Sequence, residues 1–410
     1  MKEMLQTVSI EEALSRLHSH FHPEPLPIVR LRLDEALGRT LAEDVISTED
    51  IPPHARSTMD GYAVRAADTF GASSANPLYL RLVGTIEMGE VPCHQLGEGE
   101  AMTIYTGGIL PRGADAVVML EHTTRLETQE VELTWQVAPG ENVVHAGTDA
   151  RRGEVALAAG TVIRAEEIGY LAALGVLEVP ARVKPKVAII STGNEIVPAE
   201  VEPGPGEMRD VNSWTLSSLV HQCGGEPMVK GIVEDDFQAL SRVYRDCLRE
   251  ADIVLISGGS SKGAHDVVAE VINHSGEPGV FVHGVSMKPG KPVIIGIVDG
   301  KLCFGLPGHP ISAMLAFRIF VEPGLDSLLA RRKRPRPMLY ATLSTSLPSV
   351  PGRDDFVRVV VRQEGDSLIA EPLLGKSGLI SLMVKSDGFV HIPAAREGFS
   401  SGETVPVWVW

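Results

Sequence analysis

Val254-Leu255-Ile256-Ser257-Gly258-Gly259-Ser260-Ser261-Lys262-Gly263-Ala264-His265-Asp266 leads from an apolar segment, through a turn of glycines and serines, into a helical pattern. The apolar run does not alternate, so both of its faces are expected to be covered, as in a parallel sheet. Glycines let a backbone approach a ligand closely, and the N-terminus of the following helix favours an anion. The turn is neither a Walker A loop, because the Gly-Lys-Ser/Thr ending is missing, nor GxGxxG. Its neighbours follow the same grammar. Val187–Ile190 and Val293–Val298 read as buried strands, and Asn212–Gln222, Phe237–Glu250, Val267–His274 and Ile311–Phe320 as helices. Strands alternating with helices over 184–330 predict an α/β unit with a mainly parallel sheet and ligands at the C-terminal ends of its strands.

The flanks read differently. Ser9 followed by Glu12, with Ile10, Ala13, Leu14 and Leu17 at helical spacing, predicts a capped helix. A second short helix is expected near Leu33–Leu37, ended by Gly38. Residues 50–150 form an all-β segment with strands at Leu78–Val83, Ala101–Tyr105, Ala116–Met119 and Val131–Val137. Arg331-Arg332-Lys333-Arg334-Pro335-Arg336-Pro337 reads as a solvated hinge. Beyond it, Leu339–Thr345, Phe356–Arg362 and Val405–Trp410 predict a small β domain.

The 410 residues are enough for several buried cores. A net charge of −16 opposes non-specific binding to nucleic acid or an anionic membrane. The apolar runs are strand-sized, far short of a membrane span. Cys93, Cys223, Cys247 and Cys303 are far apart and form no CxxC pair, which argues against a disulfide frame or a thiolate zinc site. Without a signal-like N-terminus, the expectation is a soluble cytoplasmic protein.

Six segments carry possible chemistry. Ile189-Ile190-Ser191-Thr192-Gly193-Asn194-Glu195 ends a strand in hydroxyls and an acid; Glu195 is either a magnesium ligand or a solvated side chain. The Gly258–Ser260 turn is a candidate phosphate cradle, with Lys262 beside it, and Asp266 is a helix N-cap or a metal ligand. Met287-Lys288-Pro289-Gly290-Lys291-Pro292 holds two ammonium groups on a stiff loop. Cys303-Phe304-Gly305-Leu306-Pro307-Gly308-His309-Pro310-Ile311-Ser312 turns from a strand into a helix opened by Pro310. His309 has no sequence partner and ranks as a ligand or surface contact. Asp60-Gly61 and Thr106-Gly107-Gly108 lie outside this region and are ordinary turns by local rules. The carboxylates, ammonium groups and N–H donors together suit a magnesium-bridged phosphate or pyrophosphate compound.

These segments, with Met59-Asp60-Gly61-Tyr62-Ala63-Val64, Asp235-Asp236 and Lys288-Pro289-Gly290-Lys291-Pro292, occur in an order that resembles the MoeA family of molybdopterin molybdenumtransferases, to which the E domain of gephyrin is related. The resemblance spans essentially the whole chain. It implies an elongated discontinuous N-terminal domain (1–50 and 151–183), an inserted β domain (51–150), an α/β molybdopterin-binding domain (184–330) and a C-terminal β barrel (331–410). It also implies a homodimer, magnesium, and insertion of molybdate into adenylylated molybdopterin with release of AMP, downstream of a molybdopterin adenylyltransferase. Carried over, Glu195 and Asp266 hold magnesium, and Thr192, Gly258, Gly259 and Ser260 bind adenylate and phosphate. Lys262, Lys288 and Lys291, with Pro307, Gly308, Pro310 and Ser312, attract oxyanion and pterin phosphate. Thr106 and Gly107 also bind substrate. Asp60, reaching from the partner subunit, is a catalytic carboxylate, and Asp149 and Glu195 belong to the same catalytic set. The chain departs from the family pattern at Val144, His145, Thr148, Lys262 and His309. These departures leave open a paralogue that handles tungstate, and a non-catalytic scaffold of the same fold.

Overall fold

The computed structural model describes residues 7–258, 262–333 and 335–409, with 262–266 as backbone only. Helix α1 (Ile10–His20) begins where Ser9 Oγ accepts from the Glu12 amide at 3.0 Å, and it buries Ala13 and Leu17. The helix expected near Leu33–Leu37 is only a single 3-10 turn, Leu33–Glu35, closed by the Ala36 amide on the Leu33 carbonyl, because the Leu33 and Gly38 amides are taken by the carbonyls of Leu177 and Ile163 in other segments; Gly38 ends the stretch with φ at +74°.

Two chain segments distant in sequence build the next layer. Ile28–Arg32 pairs antiparallel with Glu178–Arg182, and α2 (Ala165–Ala173) packs nearby. Between them the chain leaves and returns at one point: Ile51 bridges Ala150, with amide-to-carbonyl bonds of 2.7 Å (Ile51 to Ala150) and 2.9 Å (Asp149 to Ile51). The inserted stretch forms a six-stranded sheet in which Gly61–Val64 lies between Glu100–Ile104 and Ala116–Met119. A Cβ on Gly61 would lie 2.0 Å from the Val118 carbonyl oxygen, so only glycine fits directly after Asp60.

The central sheet holds β1 (Lys186–Thr192), β2 (Glu226–Val233), β3 (Ile253–Gly258), β4 (Pro278–His283), β5 (Ile294–Val298) and β6 (Lys301–Pro307), in the order β2-β1-β3-β6-β5-β4. All run parallel except β5. Val187, Ile189, Ile253 and Leu255 face a layer with α1, α3 (Asn212–Gln222) and α6 (Pro310–Ala316). Ala188, Ile190, Val254 and Ile256 face α4 (Phe237–Glu250) and α5 (Lys262–Ser275). Both faces are covered, which explains runs without alternation.

The last sheet closes on itself. β7 (Met338–Leu343), β8 (Asp354–Glu364), β9 (Ser367–Pro372), β10 (Gly388–Ile392) and β11 (Thr404–Val409) pair in the ring β8-β9-β7-β11-β10-β8, a five-stranded barrel. The segment expected to be a solvated hinge is tied down. Arg331 bonds Thr40 Oγ1 at 3.0 Å and pairs with Asp326, and Arg336 pairs with Glu322 while lying over the Trp408 ring. Guanidinium groups found partners on both sides of the linker, and composition alone does not show that.

Candidate active site

Thr192, Gly258 and Pro307 stand side by side at the carboxyl edge of β1, β3 and β6. The connection through α3 leads from β1 to β2 on one side, and the next, through α4, returns to β3 on the other. The strand order therefore reverses between β1 and β3, where α/β folds place ligands. The backbones are close here: a Cβ on Gly258 would lie 2.0 Å from the Thr192 carbonyl oxygen. Because β5 is antiparallel, the Lys288–Lys291 loop preceding it arrives at the same edge, Ile294 pairing with Gly305. A Cβ on Gly290, where φ is +114°, would lie 3.7 Å from the Ser312 carbonyl oxygen, so this loop abuts the first turn of α6. Thr192, Gly258, Lys288, Lys291, Pro307, Gly308, Pro310 and Ser312 thus share one edge, with both lysines exposed and Ser312 buried.

A polar layer beneath fixes these turns. Thr192 Oγ1 donates to Asp235 at 2.5 Å. Asn212 Nδ2 donates to Ser257 Oγ at 2.7 Å and to the Gly308 carbonyl at 2.8 Å, linking the ends of β3 and β6 through α3. Ser191 and Ser213 hydroxyls meet at 2.9 Å, and Ser213 donates to Asp210 at 2.6 Å. Asp236 accepts from the Ala239 amide and caps α4. The barrel also reaches the edge. Ser377 Oγ lies 3.1 Å from His309 Nδ1, and the Ile311 amide donates to the Ser377 carbonyl at 3.4 Å. Met287–Lys288 pairs parallel with Asp354–Asp355 of β8. Asn212 entered the sequence reading only as the start of a helix and Asp235 only within a family marker, neither as a site residue, and Ser377 escaped it altogether. The one available signal was Gly375-Lys376-Ser377-Gly378, a glycine-rich turn in the C-terminal segment.

Asp60 lies on the inserted sheet. Its Oδ1 accepts from the Thr106 amide at 2.7 Å and from Thr106 Oγ1 at 2.8 Å. Those bonds, the backbone one first, hold the exposed carboxyl below its ordinary range. Gly107 makes the turn with φ at +85°, and its amide donates to the Ser57 carbonyl at 2.8 Å. Asp149 is exposed at the exit of the insertion; its amide donates to the Ile51 carbonyl and its own carbonyl accepts from Tyr170. Among the described residues, no hydrogen bond or ion pair joins Asp60 or Asp149 to the strand-end row within one chain.

Glu195 is half-buried beside Gly193, where a Cβ would lie 3.1 Å from Glu195 Oε2. Gly259, Ser260 and the side chains of Lys262 and Asp266 lie outside the described residues. No group of three or more His, Cys, Asp or Glu that could enclose a metal ion is present among the described residues. Magnesium binds through one or two carboxylates and completes its shell with phosphate and water oxygens, so the donors present at this edge fit it only with a phosphorylated ligand in place.

The chain matches three family models in succession: the MoeA N-terminal region (domain I and II) over 8–175, the probable molybdopterin binding domain over 188–327, and the MoeA C-terminal region (domain IV) over 340–410. The chain belongs to the MoeA family. It belongs with it to the enzymes of molybdenum cofactor biosynthesis. A molybdopterin molybdenumtransferase of Bacillus subtilis is 30% identical to this MoeA-family chain, over 99% of the chain and 95% of the relative. The crystal structure of a molybdopterin biosynthesis moeA protein from Pyrococcus horikoshii OT3 matches with a TM-score of 0.82 and 32% identity, covering 99% of this chain and 100% of that one. A second solved MoeA structure from Pyrococcus horikoshii is 39% identical with a TM-score of 0.74, covering 98% and 99%. No helix among the described residues is long and apolar enough to cross a membrane.

Proposed function

We propose that the chain inserts molybdate into adenylylated molybdopterin, with magnesium, and releases AMP. The observation that carries this reading is the alignment of Thr192, Gly258 and Pro307 on one sheet edge, with Lys288 and Lys291 brought beside them by an antiparallel strand. Substrate anhydride and oxyanion are both negative, so N–H dipoles and ammonium groups must be in place before they meet. The turns after β1 and β3 bind the anhydride. Lys288 and Lys291 attract the oxyanion and hold it near the Pro307–Ser312 turn, with Ser377 and His309 closing the barrel side. Glu195, joined by Asp266, would hold magnesium, which when bound neutralises anhydride oxygens.

Asp60 is the catalytic carboxylate, poised ionised by Thr106. Exposed on the inserted sheet and held there by Thr106, it serves the partner's site in a homodimer, with Asp149 on the same inserted segment. The chain divides into 1–50 with 151–183, 51–150, 184–330 and 331–410, a division favoured by the Ile51–Ala150 bridge. The substrate comes from an adenylylating enzyme acting on molybdopterin.

The test incubates purified protein with adenylylated molybdopterin, magnesium and either molybdate or tungstate, and measures AMP. Molybdate-dependent release is expected, with Asp60→Ala reducing it about 100-fold or more. Faster release with tungstate would reassign the oxyanion. At limiting oxyanion, where the Lys288→Ala/Lys291→Ala double variant turns over little by itself, mixing Asp60→Ala with that double variant should recover about a quarter of wild-type activity, because half the dimers then hold one intact composite site. No recovery would place Asp60 in its own subunit's site.

A further inference from the structure

The stretches 50–57 and 143–150 run antiparallel as one strip of the inserted domain. Val143 pairs with Ser57, Val144 with Arg56, and Ile51 bridges Ala150. Asp60 lies just past one end of the strip, and Asp149, whose amide donates to the Ile51 carbonyl, lies at the other. Arg56 stands between them and is the only lysine or arginine in 51–60 and 141–150; Arg151 and Arg152 come after the strip has ended. Its backbone is held on both sides, opposite Val144 and bridged to Ile109, three residues beyond the Thr106 that grips Asp60. Between these two points the Ser57 amide donates to the Gly108 carbonyl at 2.9 Å. The Ser57 hydroxyl folds the chain further, donating to the Met59 carbonyl at 2.5 Å and accepting from the Met59 amide at 3.2 Å. Arg56 and Asp60 are therefore closer than the roughly 14 Å that four extended residues would span.

The backbone is fixed, but the head group is free. Arg56 is exposed, and among the described residues its guanidinium has no hydrogen bond, ion pair or ring contact. Arg65 and Arg81 of the same inserted domain, by contrast, pair with Asp68 and Glu100. Charge gives this free cation a task. Asp60 and Asp149 bring two carboxylates toward a substrate that is itself an anhydride and an oxyanion, and like charges repel. A guanidinium fixed between the carboxylates offsets that repulsion. Its planar fork also matches two oxygens of a tetrahedral oxyanion, which an ammonium group does not. We propose that Arg56 is a substrate-binding residue that crosses with Asp60 to the partner's site and there grips a tetrahedral oxyanion, either a phosphate of the anhydride or the metal oxyanion. This assignment rests on the function proposed above.

The test titrates inorganic pyrophosphate and molybdate into the intact protein by calorimetry, with AMP release measured in parallel. Arg56→Ala should weaken one of the two ligands about tenfold, the order expected for a lost charge-assisted contact. Loss of pyrophosphate names the anhydride phosphate as the group held, and loss of molybdate names the metal oxyanion. Arg56→Lys should recover part of the affinity, since it keeps the charge and loses the fork. Arg125→Ala removes the same charge from an exposed position at the far edge of the inserted sheet and should change neither ligand. Subunit mixing shows which site Arg56 serves. When Asp60→Ala is mixed with Lys288→Ala/Lys291→Ala, adding Arg56→Ala to the Asp60→Ala chain should leave the recovered activity unchanged. Adding it to the lysine-variant chain should lower that activity, because this chain lends Asp60. The reverse pattern overturns the assignment. So do equal affinities in wild type and Arg56→Ala, an equal loss in Arg125→Ala, or a wild type that binds neither ligand. Absence of AMP release in wild type defeats the functional reading, whereas ligand affinity indifferent to Arg56 defeats only this assignment.

Discussion

Thr106 donates twice to the same oxygen of Asp60, once from its amide and once from its hydroxyl. Both bonds favour the ionised carboxylate, and the folded-state pKa falls below the ordinary value. A depressed carboxyl contributes stability above its unfolded pKa and loses that contribution as pH falls through the folded one. Thr106→Val removes the hydroxyl and leaves the amide. The Asp60 pKa should then rise part of the way back, and the acid limb of AMP release should move up with it. Carboxyl titration by NMR checks the first expectation and a rate–pH profile the second. An unmoved Asp60 titration would show that the hydroxyl does not tune it.

Two glycine substitutions should have opposite signs. Gly258→Ala forces a methyl group to 2.0 Å from the Thr192 carbonyl, between two strands that cannot part without breaking the sheet edge. The expected cost is about 3 kcal/mol. Gly169 lies inside α2, and a Cβ there meets nothing within 4 Å. Gly169→Ala should stabilise the protein by about 0.5–1 kcal/mol, because alanine loses less backbone entropy in a helix. Urea unfolding of the two variants measures both values, and a Gly258→Ala protein as stable as wild type would contradict the close strand approach.

The helix α4 was legible to the residue because cap and periodicity agree: Asp236 starts it, and Leu240, Tyr244 and Cys247 mark its buried face, while α3 was legible from the Gly224-Gly225 pair that follows its end. The direction of β5 was not legible. An apolar run carries no information about which way it runs, yet that direction brings Lys288 and Lys291 to the row. The five-strand closure of the barrel was likewise set by long-range pairing, and the end of the expected helix Ile311–Phe320 became a π-helical turn, Phe317–Val321. At the site, Thr192, Gly258 and Pro307 could be read because strand-end turns have a local grammar. Thr106 as the partner of Asp60 could not, being 46 residues away, nor could Asn212 and Ser377, whose roles exist only through tertiary contact.

Thiol chemistry follows from burial. Cys223 is pushed up to about 12, Cys247 to about 11 and Cys303 to about 12, in each case chiefly because a thiolate would be desolvated. Tyr244 also donates to Cys303 Sγ at 2.8 Å. Cys93 is exposed. A thiol reagent at about pH 8 should therefore modify one cysteine per native chain and all four after denaturation. Labelling of a second thiol before unfolding would show that one of the buried helices or strands opens.

The linker prediction concerns Arg336. Its guanidinium lies 5.4 Å from the Trp408 ring centroid and pairs with Glu322 at 3.7 Å, joining barrel to α/β sheet layers. The side chain remains partly exposed, so solvent screens the ion pair and the aromatic contact is the larger share. Arg336→Ala should cost about 1 kcal/mol in thermal unfolding and make the 331–337 stretch easier to cleave by protease. Cleavage no faster than wild type would mean that the linker is held by other contacts.

Lys288 and Lys291 are exposed on a loop whose backbone rests against α6, so removing their charge should spare the fold. Their effect is Coulombic. Two ammonium groups near a crevice raise the local concentration of an anion, and that attraction weakens as salt shortens the screening length. Lys291→Met should raise the oxyanion concentration needed for half-maximal AMP release about tenfold, equivalent to about 1.4 kcal/mol of lost attraction. It should do so with little change at saturating oxyanion. Added salt should weaken the wild type more than the variant, since the variant has less attraction to screen. Melting temperature within a degree or two of wild type would confirm that only the site changed. If half-saturation does not move in Lys288→Met, Lys291→Met or the double variant, the oxyanion is bound elsewhere on the row, and the loop serves only to pair with the barrel through Met287–Lys288.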